Sequence, residues 1–275
     1  MPRPEVRGVR ASLGRVAAMI LRHWYLLTSS WPRALELVYW PTVQITLWGF
    51  ITLYLAEAGG SPLARAGLAF LAAVLLWDTF FRGQLGVSLA FLEEMWARNL
   101  GHLFVSPLRP FELVLSLFAM SLVRTLIGVG GAATLAIPIH GFDVTAVLGP
   151  ALVLFFGGNL LFGWALGLVV AALVLRLGLG AEGLAWALVF LIQPVAAVFY
   201  PLAVLPAPLQ WIGAALPPAH VFEGMRALVL EARFAGRELV LAFALDVLWL
   251  AVAGLVFARL VESARRRGLF LQVGE

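Results

Sequence analysis

Between Asp143 and Arg176 the chain carries no charged residue. Wound as a helix, that stretch would be about 48 Å long, more than the roughly 30 Å of a bilayer's hydrocarbon core. A run of this kind predicts a membrane crossing, and it is not alone. The 275 residues are 62% hydrophobic and 12% charged, more apolar surface than a soluble chain of this length could hide. The expected class is an all-α membrane protein with six transmembrane helices. The first is expected at Leu35 to Ala56, bent at Pro41, and the second at Leu63 to Phe91. The third runs from Phe111 to Ile137, the fourth from Val144 to Leu175, the fifth from Gly183 to Val204 and the sixth from Leu239 to Val261. Gly157, Gly158, Gly163 and Gly167 in the fourth would allow close helix contact.

The most polar interruption in the first half is Phe91 to Pro110, FLEEMWARNLGHLFVSPLRP. On a helical wheel Trp96, Leu100, Leu103 and Phe104 share one side, and Glu94, Arg98 and His102 the other. About twelve residues give roughly 18 Å, too short to cross. The pattern predicts a short amphipathic helix along the membrane surface. It could dock a soluble partner, with Glu93, Glu94, Arg98 and His102 as charged contacts, or merely connect two spans.

Residues 1 to 33 hold Arg3, Arg7, Arg10, Arg15, Arg22 and Arg33 without an apolar run long enough to span. Leu13, Val16, Ile20, Trp24 and Leu27 fall opposite Arg15 and Arg22, so an interfacial helix is expected ahead of the transmembrane domain, residues 34 to 261. Arg15 and Arg22 bracket the one candidate apolar core of a signal peptide, and no small-residue cleavage site follows, so none is expected. Residues 262 to 275 form a basic tail. Six spans put both termini on one side. With that side cytoplasmic, about thirteen arginines lie inside and about four outside, the bias membrane insertion favours. This topology explains the basic charge without nucleic acid.

Every strongly basic residue is arginine; there is no lysine. A P-loop needs its lysine on the nucleotide phosphates, so the chain cannot carry its own site of that kind, and if ATP drives it another polypeptide binds the ATP. The absence of cysteine excludes thiolate chemistry. His23, His102, His140 and His220 form no metal-ligand spacing, and no nucleophile motif is present, so no metal and no catalytic residue are expected. Asp78, Arg82 and Arg124 fall inside apolar runs, where a lipid-exposed charge costs at least about 2.5 kcal/mol. They face protein, water or each other, either as a structural pairing or as the lining of a path. Asp246 and Glu36 fall nearer the predicted ends of spans and read as interfacial.

The segment Tyr200 to Glu238 combines Pro201, Pro206, Pro208, Pro217 and Pro218 with aromatic anchors and a helical VFEGMRALVLEARF. It reads as short helices dipping into the outer leaflet, tolerated where protein or water satisfies the backbone.

The order of these parts resembles the ABC-2 type permease, the membrane subunit of ATP-binding-cassette exporters of the cell inner membrane. The likeness rests on a basic amphipathic N-terminus, WPTVQITLWGF in the first span, EEMWARNLGHLFVSPL after the second, and FYPLAVLPAPLQWIGAALPPAHVFEGMR after the fifth. The resemblance implies that Glu93, Glu94, Trp96, Arg98, Asn99, Leu100, His102 and Ser106-Pro107 belong to a cytoplasmic coupling helix seated in the ATPase subunit. It implies that Tyr200, Pro201, Leu205, Pro206, Pro217, Glu223 and Arg226 build outer re-entrant hairpins between the fifth and sixth spans. It further implies a permease homodimer with the path at its interface, and a separate ATPase that holds ATP and Mg. An ion-coupled secondary transporter using Asp78, Arg82 and Arg124 is the alternative, and a membrane-embedded lipid enzyme a third.

Overall fold

The computed structural model describes residues 8 to 59 and 61 to 266; the expected C-terminal basic tail lies largely outside them. Every regular element among the described residues is helical: α1 Val9–Thr28, α2 Trp31–Gly59, α3 Ser61–Trp96, α4 Leu100–Val105, α5 Pro110–His140, α6 Val144–Leu148, α7 Ala151–Leu177, α8 Leu184–Ile192, α9 Ala207–Ala214, α10 Pro217–Glu231 and α11 Gly236–Arg266. Four helices, from Arg65 in α3 and throughout α5, α7 and α11, are long and apolar enough to cross a membrane. The chain is an all-α protein with the helices of a membrane protein.

Local chemistry sets the boundaries. Pro110 opens α5 at the position where its missing N–H costs nothing, and Glu112 accepts the Arg109 backbone N–H at 2.9 Å. Gly141 closes the same helix in the left-handed conformation (φ 64°). Asp143 caps α6, and hydrogen bonds from the Thr145 hydroxyl and the N–H groups of Ala146 and Thr145 hold its carboxyl below its ordinary pKa.

Two expected elements are differently cut. α3 does not stop at Phe91 but carries Glu93 and Glu94 within it to Trp96. It ends where Arg98 takes a positive φ of 54° and the Asn99 N–H turns back to the Glu94 carbonyl at 2.9 Å, a left-handed stop without glycine. The separate surface helix is therefore only the six residues of α4, not about twelve. The expected fifth span, Gly183 to Val204, is not one helix either: α8 ends at Ile192, ahead of Pro194 and irregular backbone. Pro41, by contrast, lies inside an uninterrupted α2.

α3 and α7 form the centre. A side-chain carbon at Gly163 would lie 2.7 Å from the Phe80 carbonyl oxygen, and one at Gly167 2.7 Å from that of Gln84. Four-residue spacing of glycine thus brings two backbones into contact, as the sequence led us to expect of the fourth span. Around this pair, α5 and α2 pack on one flank of α3, and α11 packs along α7. Phe80, Phe155, Phe162 and Phe222 fill the core toward one end; Phe91, Leu117, Leu168 and Phe257 fill it toward the end that carries α1 and α4.

Candidate functional site

The end of the bundle that holds α1 and α4 is organised by three carboxylates. Glu94, on the last turn of α3, is 1% exposed and receives two hydrogen bonds from Arg22 of α1, Nε to Oε1 at 2.8 Å and Nη2 to Oε2 at 3.1 Å. Asn99 Nδ2 donates to the same carboxylate at 2.6 Å, and His23 Nε2 stands 3.7 Å from it. Glu93 accepts from Arg124 Nη2 of α5 at 3.3 Å, with Arg33 of α2 4.0 Å away. Glu112, buried at the start of α5, accepts from Arg15 Nε at 2.8 Å, Arg15 Nη2 at 2.6 Å and the Ser12 hydroxyl at 2.7 Å. Two forked arginine–carboxylate pairs, each supplemented by a further donor, fix α1 against α3 and α5 with defined geometry.

This placement corrects the expected face of α1. Val16, Met19, His23 and Leu27 are buried, whereas Leu13 and Trp24 are exposed and Arg15 and Arg22 point at protein carboxylates. The arginines are internal ties, and the outward apolar side chains are free to meet lipid.

It also divides seven of the residues expected in the coupling element. Glu93, Glu94 and Asn99 face the bundle, and Leu100 is buried beside Phe91, Leu113 and Leu117. Trp96, Arg98 and His102 face outward, together with Val105, which is 89% exposed. Trp96 Nε1 also donates to Glu182 at 3.3 Å, linking the end of α3 to the connection between α7 and α8. A ridge of aromatic, cationic and apolar groups thus stands on a base cross-tied to α1, α2 and α5.

The three ionisable residues expected inside spans do not assemble. Asp78 and Arg82 pair along α3 at 2.6 Å, the Arg82 stem lying against Gly128 of α5. Arg124 goes to Glu93 instead, which places it beside the end of α3 rather than at the depth of that pair.

The residues of the proline-rich segment do assemble. Arg226 of α10 donates through Nη1 to the carbonyls of Ala197 and Val198, at 2.7 and 3.2 Å, where the backbone after α8 is buried and not helical. Glu223 accepts from the Leu202 N–H at 2.6 Å and forms an ion pair with Arg226, Nη2 to Oε1 at 3.1 Å. The Tyr200 hydroxyl donates to the Pro194 carbonyl. Pro201 precedes a single 3-10 turn, Pro206 leads into α9, and Pro217 opens α10. One buried guanidinium and one carboxylate therefore satisfy the peptide groups that irregular backbone leaves open.

Glu112, Asn159 and Asp246 are among the buried polar residues that the sequence-based expectations leave out or place elsewhere. Glu112 could have been found as the third residue after Arg109 in a proline-started helix. Asn159 of α7 is fully buried. Asp246, expected near a membrane interface, is fully buried ten residues beyond the start of α11. Comparison of the chain with models of known protein families gave no match, and comparison with curated proteins gave none either.

Proposed function

We propose that this chain is the permease subunit of an ABC-2 type exporter, working as a homodimer with separate ATPase subunits that bind ATP and Mg. The observation that carries this reading is the outward ridge Trp96, Arg98, His102 and Val105 on a junction tied to three other helices. A force applied to a loose connector would be dissipated in its own bending. A force applied here would pass to α1 through Arg22, to α5 through Arg124 and along the whole of α3.

In this reading α2, together with α8 and the irregular backbone that follows it, completes six crossings; both termini are cytoplasmic, in the inner membrane. The α9–α10 region is then the outer cap. Exposed apolar side chains along α2 (Tyr39, Val43, Leu47, Phe50) and α11 (Val240, Val247, Leu248, Leu255) would meet lipid or the second permease. Ion-coupled transport by Asp78, Arg82 and Arg124 has less support, because each of these charges already has a protein counter-charge.

The test is reconstitution with a candidate ATPase. Arg98→Glu and His102→Ala should lower transport-coupled ATP turnover at least tenfold while leaving the permease folded. Unchanged turnover and unchanged co-purification in both variants would show that the ridge does not dock an ATPase.

A further inference from the structure

The buried seam of α11 runs Leu239, Ala242, Asp246, Ala253, Phe257, Val261, Ala264, and Asp246 is its one polar member. At 1.5 Å per residue it lies about 15 Å along the helix, near half the thickness of a hydrocarbon core. Its surroundings are close and apolar. A side-chain carbon on Gly158 of α7 would be 3.7 Å from Asp246 Oδ2 and 2.9 Å from Val221 Cγ2 of α10. Neither carboxyl oxygen has a hydrogen-bond partner among the described residues, and Asn159, next to Gly158 and equally buried, has both amide atoms unpartnered.

The charged groups on the neighbouring helices are committed elsewhere. On α10, His220 bonds Glu238 and the Ala214 carbonyl, while Arg226 bonds Glu223 and the carbonyls of Ala197 and Val198. On α3, Arg82 bonds Asp78. Among the described residues no cation bonds or pairs with Asp246.

An ionised carboxylate without counter-charge or donor is the most costly group that apolar surroundings can hold. We propose that Asp246 is a proton-binding site: in the packed arrangement of α7, α10 and α11 its carboxyl carries a proton. The close approach of Gly158 and Val221 leaves room for a proton on the acid itself rather than for a hydrated cation. Parting α7 from α11 admits water, and the acid then ionises, releasing one proton into that water. Opening this seam is thereby a proton-releasing step, independent of which cargo or ATPase the protein uses.

The test is infrared spectroscopy of the full chain in phosphatidylcholine vesicles at pH 7, comparing wild type with Asp246→Asn, which copies the shape and neutrality of the protonated acid. The expected difference spectrum shows loss of one protonated-carboxyl carbonyl band, with an unfolding temperature within about 5 °C of wild type. Identical spectra in the carboxylic-acid region would overturn the proposal. If Asp246→Asn, whose amide adds an N–H donor, fails to fold or unfolds at a clearly lower temperature, Asp246→Leu, which removes charge and donor together, decides: its failure as well would mean that the ionised form is required and would overturn the proposal.

Discussion

Arg22 and Glu94, separated by 72 residues of chain, are joined by two hydrogen bonds at a carboxylate that is 1% exposed, while the arginine is 40% exposed. The asymmetry decides which half of the pair matters more. Arg22→Ala leaves a buried carboxylate with Asn99 and His23 as its remaining polar neighbours, and should cost about 2–3 kcal/mol, less than the roughly 3–5 kcal/mol of a fully buried pair because Arg22 is partly solvated. Glu94→Gln leaves a guanidinium that can turn to water and should cost about half as much. Thermal unfolding of the two variants in lipid checks the order; equal costs would mean that the carboxylate is better solvated than its burial implies.

At the centre of the bundle the contact is backbone against backbone. Gly163→Ala would set a carbon 2.7 Å from the Phe80 carbonyl oxygen, which cannot move without displacing α3, whereas the nearest neighbour to a carbon at Gly157 is 3.8 Å away. The first substitution should destabilise by about 1–3 kcal/mol and the second by a few tenths at most. Matched unfolding curves for both would sink the tight α3–α7 contact.

The irregular backbone after α8 depends on one side chain. Arg226→Met should strand the Ala197 and Val198 carbonyls and the Glu223 carboxylate together, at a cost of about 3 kcal/mol or more. Arg226→Lys keeps the charge but not the fork and should recover only part of the loss. Protease sensitivity of residues 193 to 206 is the direct readout, expected to rise in the order wild type, Lys, Met.

Because the natural chain has no cysteine, single cysteines can map the junction without a background. Cysteines at His102 and Val105 should react with a membrane-impermeant maleimide at least tenfold faster than one at Leu100, which is buried. In the proposed topology the fast reaction is seen in inside-out vesicles and not in right-side-out ones. Fast labelling of Leu100→Cys, or reaction from the opposite face, is the outcome that removes α4 from the docking role.

Much of this was legible in residue order. Long, strongly apolar runs with few charges mark α3, α5, α7 and α11 because length and apolarity alone define a helix that can cross a membrane. The proline cluster from Tyr200 onward marks backbone that cannot be continuous helix. Partners were harder to see. A wheel sets Arg15 and Arg22 on a polar side, but solvent and a carboxylate elsewhere in the chain satisfy a guanidinium equally well, and Glu112 and Glu94 are too distant in sequence for periodicity to choose. The end of α3 was obscured because its stop is Arg98 in a left-handed conformation, where a glycine would have been an audible signal. Asp246 was misplaced for a simpler reason. A span starting at Leu239 sets Asp246 only seven residues from its end, although the spacing Ala242, Asp246, Ala253, Phe257 already places it on the inward stripe.

The glycine contact between α3 and α7 restricts how the molecule can work. Two helices whose main chains touch at Gly163 and Gly167 have no side-chain layer in which to slide, so they behave as a single girder. Displacement arriving at Trp96 cannot be absorbed within that girder. It must reappear as slip along its flanks, where side chains rather than peptide groups form the contact. The seam between α7 and α11 is one of those flanks, and Asp246 stands in it.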